Sequence, residues 1–214
     1  MKRITLVVAS LILLGTAIHS VAQQSAASFV PVTDAMLQNP DPADWLMWRR
    51  TLNSWGYSPL DQINRTNVRD LKMVWTRGMG PGIQEATPLV YRGVMYLPNP
   101  SDLVQSINAA TGELIWEYKR QWEEDVTKIL PVAPSINRNI AIYGNTIIDT
   151  SADDQMYALD ATNGNILWNF ASGGTVIDGP SIVDGTLYWG SGYRSIQGTG
   201  NNKVYAFSLA GEND

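Results

Sequence analysis

The chain of 214 residues contains one histidine and no cysteine, and that histidine, His19, stands close to the N-terminus. A Ser-His-Asp triad, a thiol nucleophile and the common zinc sites all need one of those residue types. Chemistry in the rest of the chain therefore falls to carboxylates, hydroxyls, arginine and lysine, or to a bound cofactor. Composition singles out none of these, and Glu85, Arg138, Thr150 and Ser151 are four residues of the right types. Taken as residues alone they also have plain readings. Glu85 precedes an apolar run and suits a solvated carboxylate at a strand edge. Arg138 suits a surface cation, and Thr150 and Ser151 suit turn hydroxyls. Asp153, Asp154 and Asp160 form an acidic cluster, but their spacing lacks the Asp-x-Asp-x-Asp-Gly order of a calcium loop, so they read as turn carboxylates. The glycines of 78–82 and 190–192 do not lie between a strand and a helix, which argues against a phosphate cradle.

The elements that position these residues repeat along the chain. Ser106-Ile107-Asn108-Ala109-Ala110-Thr111-Gly112-Glu113-Leu114-Ile115-Trp116 returns as Ala158-Leu159-Asp160-Ala161-Thr162-Asn163-Gly164-Asn165-Ile166-Leu167-Trp168. A decayed copy runs from Tyr205 to Gly211. Upstream of each copy lies an apolar run, a glycine turn and a second apolar run, centred on Gly93, Gly144 and Gly185. These glycines are 51 and 41 residues apart, and the glycines of the two Trp-ended phrases are 52 apart. Alternation about a short Gly-containing turn signals a hairpin. Two hairpins in about 40–50 residues make one four-stranded unit, the size of a propeller blade. A β-sandwich of unrelated hairpins is the alternative, and it does not account for the matching order of the phrases. Each terminal Trp is expected to pack between blades, where its N–H needs an acceptor.

The first 22 residues have the form of an export leader: Lys2 and Arg3, an apolar stretch from Ile4 to Ala17, and the small-x-small Ser20-Val21-Ala22. An uncleaved anchor is the alternative. Loss of Lys2 and Arg3 with the leader moves the net charge from −5 to −7. An acidic chain without a basic face argues against a nucleic-acid partner. The expected compartment is the bacterial periplasm, inferred from the leader alone.

The expected organisation is a signal peptide at 1–22, a polar lead-in at 23–44 with a short helix near Ala35–Leu37, and a partial propeller at 45–214. Within the last, residues 76–116, 138–168 and 169–214 are blades, 117–137 is an insertion, and 45–75 could supply a fourth blade. Asn64–Trp75 would then be a turn feeding an outer strand. Propellers usually close with about four to eight blades, and an open array leaves sheet edges unpaired. The chain is thus a shortened form of a longer protein, or a homo-oligomer completes its ring.

The segment Trp48-Arg49-Arg50-Thr51-Leu52-Asn53-Ser54-Trp55-Gly56-Tyr57-Ser58-Pro59-Leu60-Asp61-Gln62-Ile63-Asn64 resembles the opening of the pyrroloquinoline quinone (PQQ) dependent alcohol dehydrogenases. Gln84–Val90, Asn137–Gly144 and Thr150–Asp153 continue the resemblance, and the Ala-x-Asp-x-x-x-Gly-x-x-x-Trp phrase is similar to that family's tryptophan docking motif. The resemblance implies an all-β propeller, eight-bladed in the family and here about three to four blades, around a central PQQ and a calcium ion. Glu85 resembles the glutamate that contacts PQQ from the first blade, and Arg138 the arginine near the quinone carboxylate. Ser151, with Thr150 beside it, falls where a hydroxyl residue binds the cofactor. Such donors suit a cofactor rich in carboxylates and quinone oxygens.

The departures matter as much. Many relatives carry two adjacent cysteines shortly before the Asn-Arg segment, where this chain has Leu130-Pro131-Val132-Ala133-Pro134-Ser135. No counterpart of the blades that supply the calcium ligands and the catalytic aspartate is found, and after Trp168 the stretch Gly173–Pro180 resembles the family's C-terminal blades. The resemblance implies oxidation of an alcohol to an aldehyde or ketone, with electrons passed to a cytochrome c. The general base and metal ligands are left unassigned. A non-catalytic propeller scaffold, or an inactive truncated remnant of such an enzyme, is the alternative.

Overall fold

A computed structural model describes residues 28–122, 136–176, 178–192 and 200–209. The expected leader, most of the 117–137 insertion and most of the Gly-rich loop at 190–200 lie outside the described residues. Three antiparallel sheets follow one another along the chain. The first contains β2 (Leu89–Tyr91), β3 (Val94–Asn99), β4 (Leu103–Asn108) and β5 (Leu114–Lys119), each paired with the next. The second repeats this meander with β7 (Ala141–Tyr143), β8 (Thr146–Thr150), β9 (Gln155–Asp160) and β10 (Ile166–Ala171). The third has three described strands, β11 (Ser181–Val183), β12 (Thr186–Ser191) and β13 (Lys203–Phe207). A short parallel pair, β1 (Ile83–Gln84) with β6 (Ile136–Asn137), precedes the first strands of sheets one and two.

Local chemistry explains the meander. The first hairpin turns on Arg92-Gly93, both with positive φ, which matches the type I′ turn that suits strand twist. The Trp-ended phrase forms the hairpin from the third to the fourth strand. Trp116 faces Ser106 and Trp168 faces Ala158, with an irregular register beside each.

The same phrase seals one sheet against the next. The Trp116 indole donates to the Ala161 carbonyl at 3.0 Å, and its ring lies over Gly164, where a Cβ would stand 2.6 Å from it. Only glycine permits that approach. The Tyr96 hydroxyl donates to the same carbonyl at 3.1 Å. Trp75 repeats the dock one unit earlier, donating to Ala109 at 3.1 Å with its ring 2.8 Å from the Cβ position of Gly112. Trp116 packs between blades as its repetition predicts.

The larger core lies between sheets one and two and includes Leu89, Tyr96, Val104, Ile142, Ile147, Tyr157 and Leu159. The lead-in joins it. α1 (Asp34–Gln38) is capped by the Thr33 side chain, Leu37 is buried, and Val32 bridges Gly144. A second core of Ile148, Met156, Ala158, Val176 and Trp189 joins sheets two and three.

Residues 45–75 do not build a blade. They contain a 3-10 turn at Val68–Asp70 and one bridge, Trp45 to Val90, but no strand. Leu46 joins the larger core with Met47 against it, but Trp55, Ile63, Met73 and Val74 are largely exposed. The fourth blade and its outer strand expected here are replaced by an irregular segment that supplies the core residue Leu46, the groove residues after it and the docking residue Trp75.

Candidate functional site

The parallel β1–β6 pair fixes the register of the leading candidates. Gln84 faces Asn137, so the next residues, Glu85 and Arg138, emerge side by side. Their side chains form an ion pair, with Arg138 Nε 3.0 Å from Glu85 Oε2. Both are partly open to solvent, at 33% exposure for Arg138 and 40% for Glu85. Neither is locked in the core, so both keep hydrogen-bonding capacity for a ligand.

β2, β7 and β11 open the three sheets and form one edge of each, and β7 and β11 approach each other. Trp45 bridges Val90, and the segment that follows runs past β7 and β11. Between them lies a groove of about 390 Å³, lined by Trp48, Arg49, Asn139, Ile140, Asp178 and Ile182 among others. That size falls within the range of small-molecule pockets, about 300–1,000 Å³. Asn139 and Ile140 directly follow Arg138 in the chain, but neither Arg138 nor Glu85 lines this groove. The Arg49 guanidinium lies 5.2 Å from the centre of the Trp48 ring.

Thr150 and Ser151 are placed differently. Both are buried. Thr150 donates its hydroxyl to the Asp178 carbonyl at 2.9 Å, tying sheet two to the groove wall. The Ser151 hydroxyl donates to Asp102 Oδ2. The Trp122 indole donates to that same oxygen at 2.8 Å and reaches Ser151 Oγ at 3.2 Å. Thus Glu85 and Arg138 meet, while Thr150 and Ser151 use their hydroxyls within the seams between sheets.

That seam holds residues that motif reading missed. Burial, together with the charge of nearby Asp149, pushes the Asp102 carboxyl up to about 7, against the pull of its hydrogen bonds from Ser151 and Trp122. Asp149 accepts from the Tyr157 hydroxyl at 2.8 Å, and burial beside that carboxyl raises the Tyr157 phenol well above its usual range. Arg120 clamps Asp153 through Nε contacts of 3.0 and 2.9 Å. The signal lay in the repeat itself: Asp102 stands before β4 where Asp154 stands before β9.

The acidic cluster is built into turns. Asp153 pairs with Arg120, Asp154 accepts from Gln155, and Asp160 accepts from the backbone and hydroxyl of Thr162. Among the described residues no group of three or more metal-ligating side chains converges.

Repeated antiparallel sheets joined by stacked tryptophans define part of a β-propeller. Residues 45–196 match the family model "PQQ: Glucose/ethanol/alcohol dehydrogenase, beta-propeller domain", and the chain belongs to that family. The dehydrogenase subunit of a quinone-type alcohol dehydrogenase from Gluconacetobacter polyoxogenes is 35% identical over 129 residues, covering 60% of this chain and 17% of the relative. The quinohemoprotein alcohol dehydrogenase ADH IIB of Pseudomonas putida is 30% identical over 183 residues, covering 78% of this chain and 25% of the relative. The solved structure of the quinohemoprotein alcohol dehydrogenase ADHIIG from Pseudomonas putida HK5 superposes with a TM-score of 0.69 at 29% identity, over 77% of this chain and 26% of that one. The chain spans a quarter or less of the length of these curated relatives.

The described donors suit a planar, polyanionic quinone in part. Arg138 and Arg49 offer guanidinium groups of the kind that take carboxylates in two-point fashion. Trp48 offers an aromatic face at the groove. Glu85 beside an anion calls for a shared proton or a cation, and in this structure the cation is Arg138.

Proposed function

We propose that the chain binds PQQ beside the Glu85–Arg138 pair and takes part in the oxidation of an alcohol to an aldehyde or ketone. The observation that carries this reading is the pair itself, two partly open, charged side chains set side by side by the parallel register of β1 and β6. The cofactor, when bound, supplies the two-electron redox chemistry. Arg138 would hold a cofactor carboxylate, and Glu85 would face a calcium ion of the kind the family resemblance implies. Thr150 holds the groove wall through Asp178, and Ser151 holds the seam behind it. Electrons pass onward to a cytochrome c. The reaction takes place in the periplasm after removal of the leader.

Equilibrium titration of the purified protein with PQQ, with and without calcium, tests the reading through tryptophan quenching and quinone absorbance. Saturable binding that weakens at least tenfold in Arg138→Ala supports it. Undiminished binding in that variant, or none at all in the parent, overturns it. Dye reduction with ethanol then separates an enzyme from a remnant.

One observation favours the second reading, a cofactor-binding remnant without turnover. The hydroxyls of Thr150 and Ser151 are buried and bonded to Asp178 and Asp102 rather than presented to the groove. Tight PQQ binding without dye reduction is the outcome that reading expects.

A further inference from the structure

Asn163-Gly164 is the one asparagine–glycine pair in the chain, and it lies in the turn that receives Trp116. An asparagine before glycine readily loses its amide, because the glycine nitrogen, unshielded by a side chain, can reach the asparagine Cγ. This turn both arms and blocks that attack. Asn163 is exposed to water, and its Oδ1 accepts from the Asn165 N–H at 2.9 Å. A donor on that oxygen draws electrons from Cγ and meets the negative charge that an attack would place there. The attacking nitrogen, by contrast, is held. Gly164 is buried, and its N–H donates to the Asp160 carbonyl at 2.8 Å. The Trp116 ring covers it so closely that a Cβ there would stand 2.6 Å away.

The matching turn of the first unit separates the two roles. Gly112 donates to the Asn108 carbonyl at 2.8 Å and lies under Trp75. The residue before it is Thr111, whose hydroxyl accepts from the Glu113 N–H at 3.3 Å. A hydroxyl thus serves the turn as the Asn163 amide does, but it offers no carbonyl carbon to attack. Geometry alone does not call for an amide at this position, so the second turn carries a reactive group that the first one lacks.

We propose that Asn163 is a site of spontaneous deamidation latched by the Trp116 dock, so that its modification follows opening of the seam between sheets one and two. The Gly164 nitrogen bonds to Asn163 Cγ, and its proton leaves with the amide nitrogen as ammonia. A five-membered succinimide results. Water then opens it at either carbonyl, giving aspartate or iso-aspartate, with no change of oxidation state. Iso-aspartate adds a carbon to the backbone of the turn, and either product sets a new carboxylate near Asp160. Ala161, in the same turn, carries the carbonyl that both Trp116 and Tyr96 donate to. A turn altered in this way docks Trp116 less well, so the latch works in one direction.

This inference rests on the fold and not on the quinone, so its test is run without PQQ. The whole chain is aged at mildly alkaline pH, and peptide mapping by mass spectrometry follows the amide-to-acid change at Asn163. Conversion is expected in urea, and more slowly by about tenfold or more in the folded protein, where opening sets the rate. Tyr96→Phe removes one hydrogen bond to Ala161 and is expected to raise the folded rate about fivefold. Trp116→Ala is expected to bring it close to the rate in urea, and Asn163→Thr to abolish the conversion with the circular dichroism spectrum unchanged. Protein aged to full conversion is expected to show a lower urea midpoint. Equal rates in the folded and urea-treated parent overturn the proposal. So does a folded rate that Tyr96→Phe leaves unmoved, and that variant decides the matter if Trp116→Ala does not fold. An unchanged midpoint in the converted protein overturns the one-way latch.

Discussion

The two seams between sheets are made from the same phrase and are closed to different degrees. Where sheet one meets sheet two, Trp116 is 8% exposed, covers Gly164 and donates to Ala161. The far end of that seam is tied by Asp102, Ser151 and Trp122. Where sheet two meets sheet three, Trp168 is 39% exposed and leans on Phe170 and Phe207. Aromatic contacts among Phe170, Trp189 and Tyr205, and a hydroxyl network of Ser172 and Ser191 on Gly174, hold that seam. The turn that would receive Trp168 falls at the decayed copy of the phrase, largely outside the described residues.

The strongest way to break this comparison is to remove each tryptophan. Trp116→Ala is expected to cost about 3–5 kcal/mol, the range for a large buried aromatic, and Trp168→Ala about 1–2 kcal/mol, as for a half-open site. Urea denaturation followed by circular dichroism measures both. Equal losses would show that the seams do not differ.

A pH titration sharpens the comparison at the other end of the closed seam. Asp102 faces Ser151 and Trp122, with Asp149 and Asp153 nearby, and the cation Arg120 is engaged by Asp153. Its folded-state value near 7 lies above the ordinary carboxyl value of 3.8. The folded protein therefore holds this proton more tightly than the unfolded chain. The stabilisation is full below the ordinary value and is lost as pH rises through about 7. Asp102→Asn keeps the shape and tolerates the positive φ of 51°. It is expected to match the parent near pH 4 and to exceed it above pH 7 by roughly 4 kcal/mol at most. Denaturant midpoints across that range measure the difference, and a constant difference would refute it. Asp154→Asn, at the same place in the next unit, shows whether the effect belongs to this seam.

The docking glycines test the contact itself. Gly164 and Gly185 both have positive φ, of 75° and 67°. A Cβ at Gly164 meets the Trp116 ring, whereas a Cβ at Gly185 meets nothing within 4 Å. The left-handed conformation costs an alanine about 1–2 kcal/mol at either site, and displacing the ring raises the Gly164→Ala loss to roughly 2–4 kcal/mol. Thermal melts of the two variants compare them directly.

What the sequence made legible follows from what is local. The hairpins, their turns and the docking tryptophans are written in contiguous phrases with a fixed period. Trp75 could have been placed by period alone, since it precedes Trp116 by 41 residues, as Gly144 precedes Gly185. The absent fourth blade could not be excluded, because residues 45–75 are rich in the right residue types and lack only a sheet to join. The Asp102–Ser151 contact spans 49 residues and pairs two ordinary turn residues, so no local pattern announces it. Glu85 and Arg138 looked like a solvated carboxylate and a surface cation until the parallel register of β1 and β6 brought them together. Resemblance to a family chose them from the sequence; geometry made them neighbours.

The smallest expected effect on stability belongs to that pair, and it separates a binding site from a third seam contact. Glu85 and Arg138 link sheets one and two, as Trp116 does, but from a partly solvated position. Exposed ion pairs contribute about 0.2–1 kcal/mol. Glu85→Gln and Arg138→Ala are therefore expected to shift the urea midpoint little, while Arg138→Ala weakens PQQ binding. Raising the salt concentration should reduce even that small contribution, because screening acts on open charges far more than on buried ones. If either substitution instead cost as much as Trp116→Ala, the pair would be a structural clasp between sheets, and its claim to hold a ligand would lapse.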